Sequence, residues 1–496
     1  METDFSNEKY YNKLKEVVYI PPSEEDNKPQ LLQLENNNKY KDSYFLYLSA
    51  FTADLVAFAT GCHMAWCSPA LAKLQETDPN VNPLGEAVSS IQESWIASLV
   101  SLGAAVGPLF IGKLADNLGR KKTLILLSLP MLVAFITLAF SNNITLFYVA
   151  RFVGGLGVGS SFAILPMYLG EITENHNRGK FGCIMAVFIT LGILYPFVVG
   201  PLVSLRLFSF SCAIPLMLFL IFFSLFIPES PIFLISNNCS EEAKEALMKL
   251  RSKSSSQVEN ELSAIAKEIE KDKDKKGGIG DLLIVPNLRR GFTVSVGLVA
   301  LQQFAGINAV QSFMGQIFDA SGSEMSTYMS TNLVGVIQVV ATFLTSVTVE
   351  KLGRKFLLLV SSIGSCAAIL ILGLYFYLKK SEIYNVDSLF WLPVVSLMIY
   401  IVCFNVGLGP LPWAIMGEIF PPNVKSVASA LTAFFCFFTS FGVTLGFPIL
   451  ANHLGMAECF WMFGVCCILG SFFVYFVVPE TKGKTLSEIQ QLLSKN

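Results

Sequence analysis

The sequence predicts an all-α membrane protein of twelve transmembrane helices, arranged as two pseudo-symmetric six-helix bundles. Three observations carry that reading. Of 496 residues, 53% are hydrophobic and only 15% charged, whereas a water-soluble domain carries about 25% charged residues. Apolar stretches near the ~20 residues needed to cross a bilayer recur at 45–65, 94–113, 123–141, 146–169, 181–203 and 207–227, and again at 292–316, 328–349, 356–377, 389–414, 426–450 and 457–478. The second set also repeats the first. "LADNLGRKKTLILLS" is echoed by "VEKLGRKFLLLVSS", "PMYLGEI" by "PWAIMGEI" and "PES" by "PET", with Arg120 to Arg354, Glu171 to Glu418 and Glu229 to Glu480 offset by 234, 247 and 251 residues. A basic residue follows each middle Glu by seven positions, Arg178 in one half and Lys425 in the other.

Taken in order, residues 1–43 are polar and mixed in charge; no cleavable signal peptide is expected, so the first apolar segment directs insertion. Residues 44–235 hold the first bundle. The stretch 236–290 is hydrophilic and alternates in charge sign, with Ser256 and Glu259 at capping-box spacing, which reads as short water-exposed helices rather than a disordered linker. Residues 291–478 hold the second bundle. In the tail, 479–496, Thr485 and Glu488 have the same spacing and suggest one short amphipathic helix. Cys183, Cys212, Cys366, Cys403, Cys436, Cys466 and Cys467 lie in apolar runs and read as small buried hydrophobes.

Orientation follows from Lys and Arg in short loops. With the N-terminus inside, inner loops hold Arg120, Lys121, Lys122, Arg178, Lys180, Lys351, Arg354, Lys355 and Lys425, and outer loops only Lys73, Arg206, Lys379 and Lys380. Both termini are therefore expected in the cytoplasm, with the protein in the plasma membrane. Asn143-Ile-Thr145 then faces outward as a candidate glycosylation sequon, and Asn238-Cys-Ser240 lies on the unused side. A net charge of −2 points to no nucleic-acid partner. A duplicated six-helix unit is the signature of transporters that move two halves about a central site.

"LADNLGRKK", "RFVGGLGVGSSFAILPMYLGEIT", "PESPIFL", "QQFAGINAV", "EKLGRK", "GPLPWAIMGEIFP" and "PETKG" occur in this order across residues 45–485. Together they resemble the sugar porter family of the major facilitator superfamily. The "GPLPW" element and the "SPAL" closing the first span are most similar to its facilitated trehalose transporter branch. The resemblance implies alternating access and a hexose or disaccharide passing near the bilayer midplane, with membrane lipid and a small sugar as the expected partners and a monomer as the expected state.

The residues give a compatible chemistry. A neutral polyol offers no charge to pair, so its site calls for amides, which donate and accept, and an aromatic face. Gln302, Gln303, Asn308 and Gln338 are amides inside apolar segments, and Trp413 is the aromatic. Their bland reading is glue between membrane helices. At ~100° per residue, Gln303 and Asn308 point about 140° apart on a straight helix, so the seventh span is expected to break between about 306 and 314, at Gly306, and so bring Gln302, Gln303 and Asn308 together. In "NVGLGPLPW", Gly407, Gly409, Pro410 and Pro412 predict a second interruption, in the tenth span. Irregular backbone in lipid is tolerated only beside a cavity or other protein, so that break marks the pathway unless it is a packing kink.

Arg151 lies inside the fourth span, where a charge costs ~2.5–3.5 kcal/mol unless paired. Asp116, Arg120, Glu171, Arg178, Glu229, Glu350, Arg354, Glu418 and Glu480 fall at helix ends on the inner side. The resemblance maps these ten onto an inner salt-bridge network that locks the outward-open state; the alternative is that they set topology only.

Departures from the family pattern fall at Ala186, Ile232, Gln311, Ser312, Asn405, Phe435 and Cys436, so an altered or larger pocket is expected. Symporters of the family carry an Asp near the position of Cys62 and His63. Asp54 stands nine residues before His63, on the opposite face, and is either functional or a counter-charge for Arg151. Facilitated diffusion is the favoured mechanism; a proton-coupled symporter and a non-transporting sugar sensor are the alternatives. An enzyme is not expected, and neither a cofactor nor a metal: the three His have no metal-ligand spacing, and no nucleophile elbow or phosphate loop occurs.

Overall fold

In hydrocarbon a peptide group has no water to bond, so each apolar stretch must satisfy its backbone within itself, which dictates helix. The computed structural model describes residues 43–174, 176–272, 278–322, 325–348, 352–381 and 387–495, with no strand among them. Twelve helices are long and apolar enough to span: Tyr44–Leu74, Ser90–Leu118, Arg120–Phe140, Ile144–Ile172, Arg178–Leu202 and Leu205–Phe226, then Pro286–Ser312, Thr327–Ser346, Arg354–Ser381, Leu392–Ile419, Asn423–His453 and Met456–Val477. They are called here the first to twelfth spans.

Within the first six, the second span packs on the fourth, and the third on the fourth and sixth. Within the second six, the ninth packs on the tenth and twelfth, the eighth on the tenth, and the seventh on the eleventh. The bundles meet along two seams, second against eleventh and fifth against eighth.

Helices Pro231–Ser236, Ser240–Arg251, Ser255–Asp272 and Ile279–Ile284 connect the bundles. The cap at the start of the third of these is Ser254 with Gln257, whose side chain accepts the Ser254 N–H at 3.0 Å, two positions before the expected Ser256–Glu259 pair. Glu259 instead pairs with Lys244 at 2.7 Å. Arg251 fastens the connector to the first bundle, meeting Glu174 at 3.1 Å, Glu261 at 2.8 Å and the Ile172 carbonyl at 2.7 Å. The seventh span begins at Pro286, inside the stretch assigned to the linker, because proline at a first helical position is pre-set for helix. The tail helix Leu486–Lys495 has the expected Thr485–Glu488 box and docks through Gln490 on the Ile419 carbonyl, 2.7 Å.

Candidate functional site

Two interrupted helices build the polar centre. In the seventh span, helix Pro286–Phe304 gives way to a short turn of helix, Ile307–Ser312, through Gly306 at φ 89°. The chain turns again at Phe313 and resumes as Met314–Ser321. In the tenth, Leu392–Val406 stops and Leu411–Ile419 begins after Gly407, Gly409 and Pro410. Gly407 is required by contact, since a Cβ there would sit 2.5 Å from the Leu357 carbonyl of the ninth span.

Each break leaves carbonyls that need donors, and each supplies the other. Pro412 has no N–H to give to Leu408 four residues back. Gln302 fills that role: its Nε2 donates to the Leu408 and Gly409 carbonyls, both at 2.8 Å. In return the Tyr400 hydroxyl of the tenth span donates to the Ala305 carbonyl at the seventh-span break, 2.8 Å. The glue reading thus describes what Gln302 does with its amide N–H groups.

The amides continue from there as a chain. Gln303 Nε2 lies 3.3 Å from Gln302 Oε1 and 3.2 Å from Cys436 Sγ, and Asn308 Nδ2 donates to Gln303 Oε1 at 2.6 Å and to Ser440 Oγ at 2.8 Å. The turn at Gly306 is what swings Asn308 onto Gln303. Ser440 also meets Ser101 of the second span at 3.0 Å, so the chain ends in the opposite bundle. Gln338 sits apart, accepting from Gln311 at 3.3 Å. Trp413 stacks on Phe162 of the fourth span, centroids 5.9 Å apart, and Phe162 also meets Phe437 at 5.6 Å.

Phe162 belongs to the first bundle and Trp413 and Phe437 to the second, so these ring contacts span the two. A void of about 20 Å³ remains beside Asn308, Ser312, Ser101 and Phe437, room for about one water. A wider groove of about 470 Å³ lies elsewhere, between the seventh, eleventh and twelfth spans, and is lined by apolar side chains such as Phe304, Phe438 and Phe463. Ser101 and Ser440 are not among the residues expected from sequence, and Cys436 is expected only as a small buried hydrophobe at a position where the family carries an amide. The available signal was the four-residue spacing of Cys436 and Ser440 in an apolar helix.

The charged helix ends form one design in two copies. Arg120 pairs with Glu171 at 3.0 Å, and Glu229 accepts the backbone N–H groups of Arg120 and Lys121 at 3.0 and 2.9 Å. Arg354 pairs with Glu418 at 3.2 Å, and Glu480 accepts from the N–H groups of Arg354 and Lys355 at 3.0 and 3.1 Å. A carboxylate on unpaired N–H groups at a helix start is favoured by both hydrogen bonding and the helix dipole. Among the described residues, the ion pairs of this set join elements of a single bundle. Asp116 reaches only Arg120, at 3.7 Å, and Arg178 donates to the Gly170 carbonyl at 3.0 Å. Glu350 lies outside the described residues.

Arg151 does not belong with that set. Fully buried near the opposite end of its span, it donates to the Ile96 carbonyl at 3.0 Å and the His63 carbonyl at 2.7 Å and lies over the Trp66 ring. The helix of the first span is interrupted there at Trp66, between Tyr44–Ala65 and Cys67–Leu74, and the guanidinium takes up the His63 carbonyl just before it. Asp54 is therefore not its counter-charge. That carboxylate is fully buried, and neither oxygen has a hydrogen-bond partner among the described residues. His63 is also buried, stacked on Phe135 at 3.7 Å. Asn143 is exposed and caps the fourth span, its side chain accepting from the Thr145 N–H at 2.9 Å.

Two six-helix bundles around a polar centre made by interrupted helices define the major facilitator fold. The chain belongs to the sugar (and other) transporter family, which matches residues 33–493. It is 34% identical over 478 residues to the facilitated trehalose transporter Tret1 of Polypedilum vanderplanki, covering 96% of this chain and 93% of that one. It is equally similar to Tret1-1 of Drosophila sechellia, again over 96% of this chain, but spans only 55% of that relative's length. Among solved structures, the xylose transporter XylE from E. coli in a partially occluded inward-open conformation superposes with a TM-score of 0.73 at 25% identity, covering 90% of this chain and all of XylE.

Proposed function

We propose that the chain is a facilitative transporter of a sugar, such as trehalose or a hexose, working by alternating access between the two bundles with both termini in the cytoplasm. The observation that carries this is the amide chain Gln302–Gln303–Asn308, seated where two broken helices meet and ending through Ser440 on Ser101 of the other bundle. Its groups are neutral and both donate and accept, as polyol recognition needs. Gln303 and Asn308 present their amides to the sugar, Gln302 holds the tenth-span break, and Trp413 with Phe162 forms the aromatic wall that must part for a ring to enter. The trehalose transporters it resembles support the substrate class.

A second reading is proton-coupled symport. It rests on Asp54, a buried carboxyl with no hydrogen-bond partner among the described residues, which is costly within a membrane and marks function by default. Uptake of labelled trehalose and glucose into proteoliposomes, with and without a pH gradient, separates the two. Equilibration that ignores the gradient is expected, and accumulation driven by it would establish symport. Gln303→Ala is expected to cut uptake by tenfold or more, and normal transport by that variant would remove Gln303 from the site.

A further inference from the structure

We infer that the eleventh span carries a ladder of small polar groups, Thr432, Cys436, Ser440 and Thr444, that extends the amide site into a binding track long enough for two sugar rings. The four stand at four-residue intervals and all are buried, whereas Thr439 on the same helix turns to the apolar groove. Each step rises ~6 Å, about the width of one pyranose, and turns by ~40°, so the ladder climbs ~18 Å while winding slowly round the helix. Its two middle rungs are already in the site, Cys436 against Gln303 at 3.2 Å and Ser440 against Asn308 at 2.8 Å.

The two outer rungs carry the inference. Several other threonines in the spans satisfy themselves, as Thr52, Thr60, Thr123 and Thr342 do by donating to the carbonyl four residues back. The Thr432 and Thr444 hydroxyls are fully buried and have no hydrogen-bond partner among the described residues. A buried hydroxyl left unpaired costs free energy that a ligand hydroxyl would recover. Gln311, on the short helix Ile307–Ser312 that packs on the eleventh span, likewise has an unpaired buried oxygen. A monosaccharide at Gln303 and Asn308 fills one step; a second ring extends to the next, where an unpaired threonine waits on either side. The substrate class this fits is a non-ionic disaccharide.

This rests on the transport reading above, and the test separates the two. Uptake of trehalose and of glucose is measured in proteoliposomes for the wild type, for Thr432→Val and Thr444→Val singly and together, and for Thr432→Ser and Thr444→Ser. Valine keeps the shape and removes the hydroxyl. In the double variant the ratio of KM for trehalose to KM for glucose is expected to rise about tenfold, with the serine variants near wild type. An unchanged ratio, or serine variants as impaired as the valines, would overturn the ladder. Independently of any variant, trehalose should slow alkylation of Cys436 by N-ethylmaleimide in the wild type more than glucose does, and equal protection would count against the second ring. Wild-type uptake of glucose but not trehalose would sink this inference and leave the transporter reading standing, whereas uptake of neither would sink that reading itself.

Discussion

Gln302 is the side chain on which the centre of the molecule turns. Its amide supplies both hydrogen bonds to the Leu408 and Gly409 carbonyls, and a buried acceptor stripped of its donor costs ~1–3 kcal/mol. Gln302→Met, similar in length but without an N–H, is therefore expected to lose about 2–4 kcal/mol of stability, read as a lower midpoint in detergent melting. Gln303→Ala, which leaves those carbonyls paired, should melt closer to wild type. A reversed order would mean that Gln302 does not hold the break. Sequence could locate Gln302 in an apolar helix, but it could not say which carbonyls the amide would meet, because those lie a hundred residues on.

At the scale of elements, the ninth span starts on a carboxylate. Burial raises the affinity of Glu480 for protons, but four backbone N–H groups, from Lys482, Arg354, Lys355 and Thr481, outweigh it and hold the carboxyl below its usual range. A depressed value means stability that is present above the unfolded carboxyl's pKa of about 4.3 and is lost as pH falls through the folded value. Melting midpoints of the wild type should thus drop on acidification below about pH 5, and Glu480→Gln should show a shallower drop from a lower plateau. Identical slopes would remove Glu480 from that role. The repeat "LGRK" with "PES" or "PET" was legible as a duplicated unit, and the structure gives its reason: in each bundle the distant Glu caps the helix that the Arg begins. Arg151 has no such echo in the other half, and it bonds the Ile96 and His63 carbonyls instead of an ion-pair partner.

For the whole molecule, the Ser101–Ser440 contact joins the two bundles beside the amides. If the bundles must separate there to admit a sugar, a covalent tie will stop transport. Ser101→Cys with Ser440→Cys, oxidised in proteoliposomes, is expected to lose uptake and to regain it on reduction, while each single variant and the wild type, with its eleven free cysteines, should be little changed by the oxidant. Undiminished transport by the cross-linked protein would exclude a rocking motion about this seam.

Length, hydropathy and internal repetition determined the helix count, the two bundles and the positions of both breaks, because each is a local property of the chain: apolar length forces a helix in lipid, and glycine and proline interrupt it. Folding decided the partners. The mutual repair of the two breaks, the join from Asn308 through Ser440 to Ser101, the isolation of Asp54 and the carbonyl bonds of Arg151 all arise from which helices come to lie side by side, and hydrogen bonds between distant segments leave no mark on the periodicity of either.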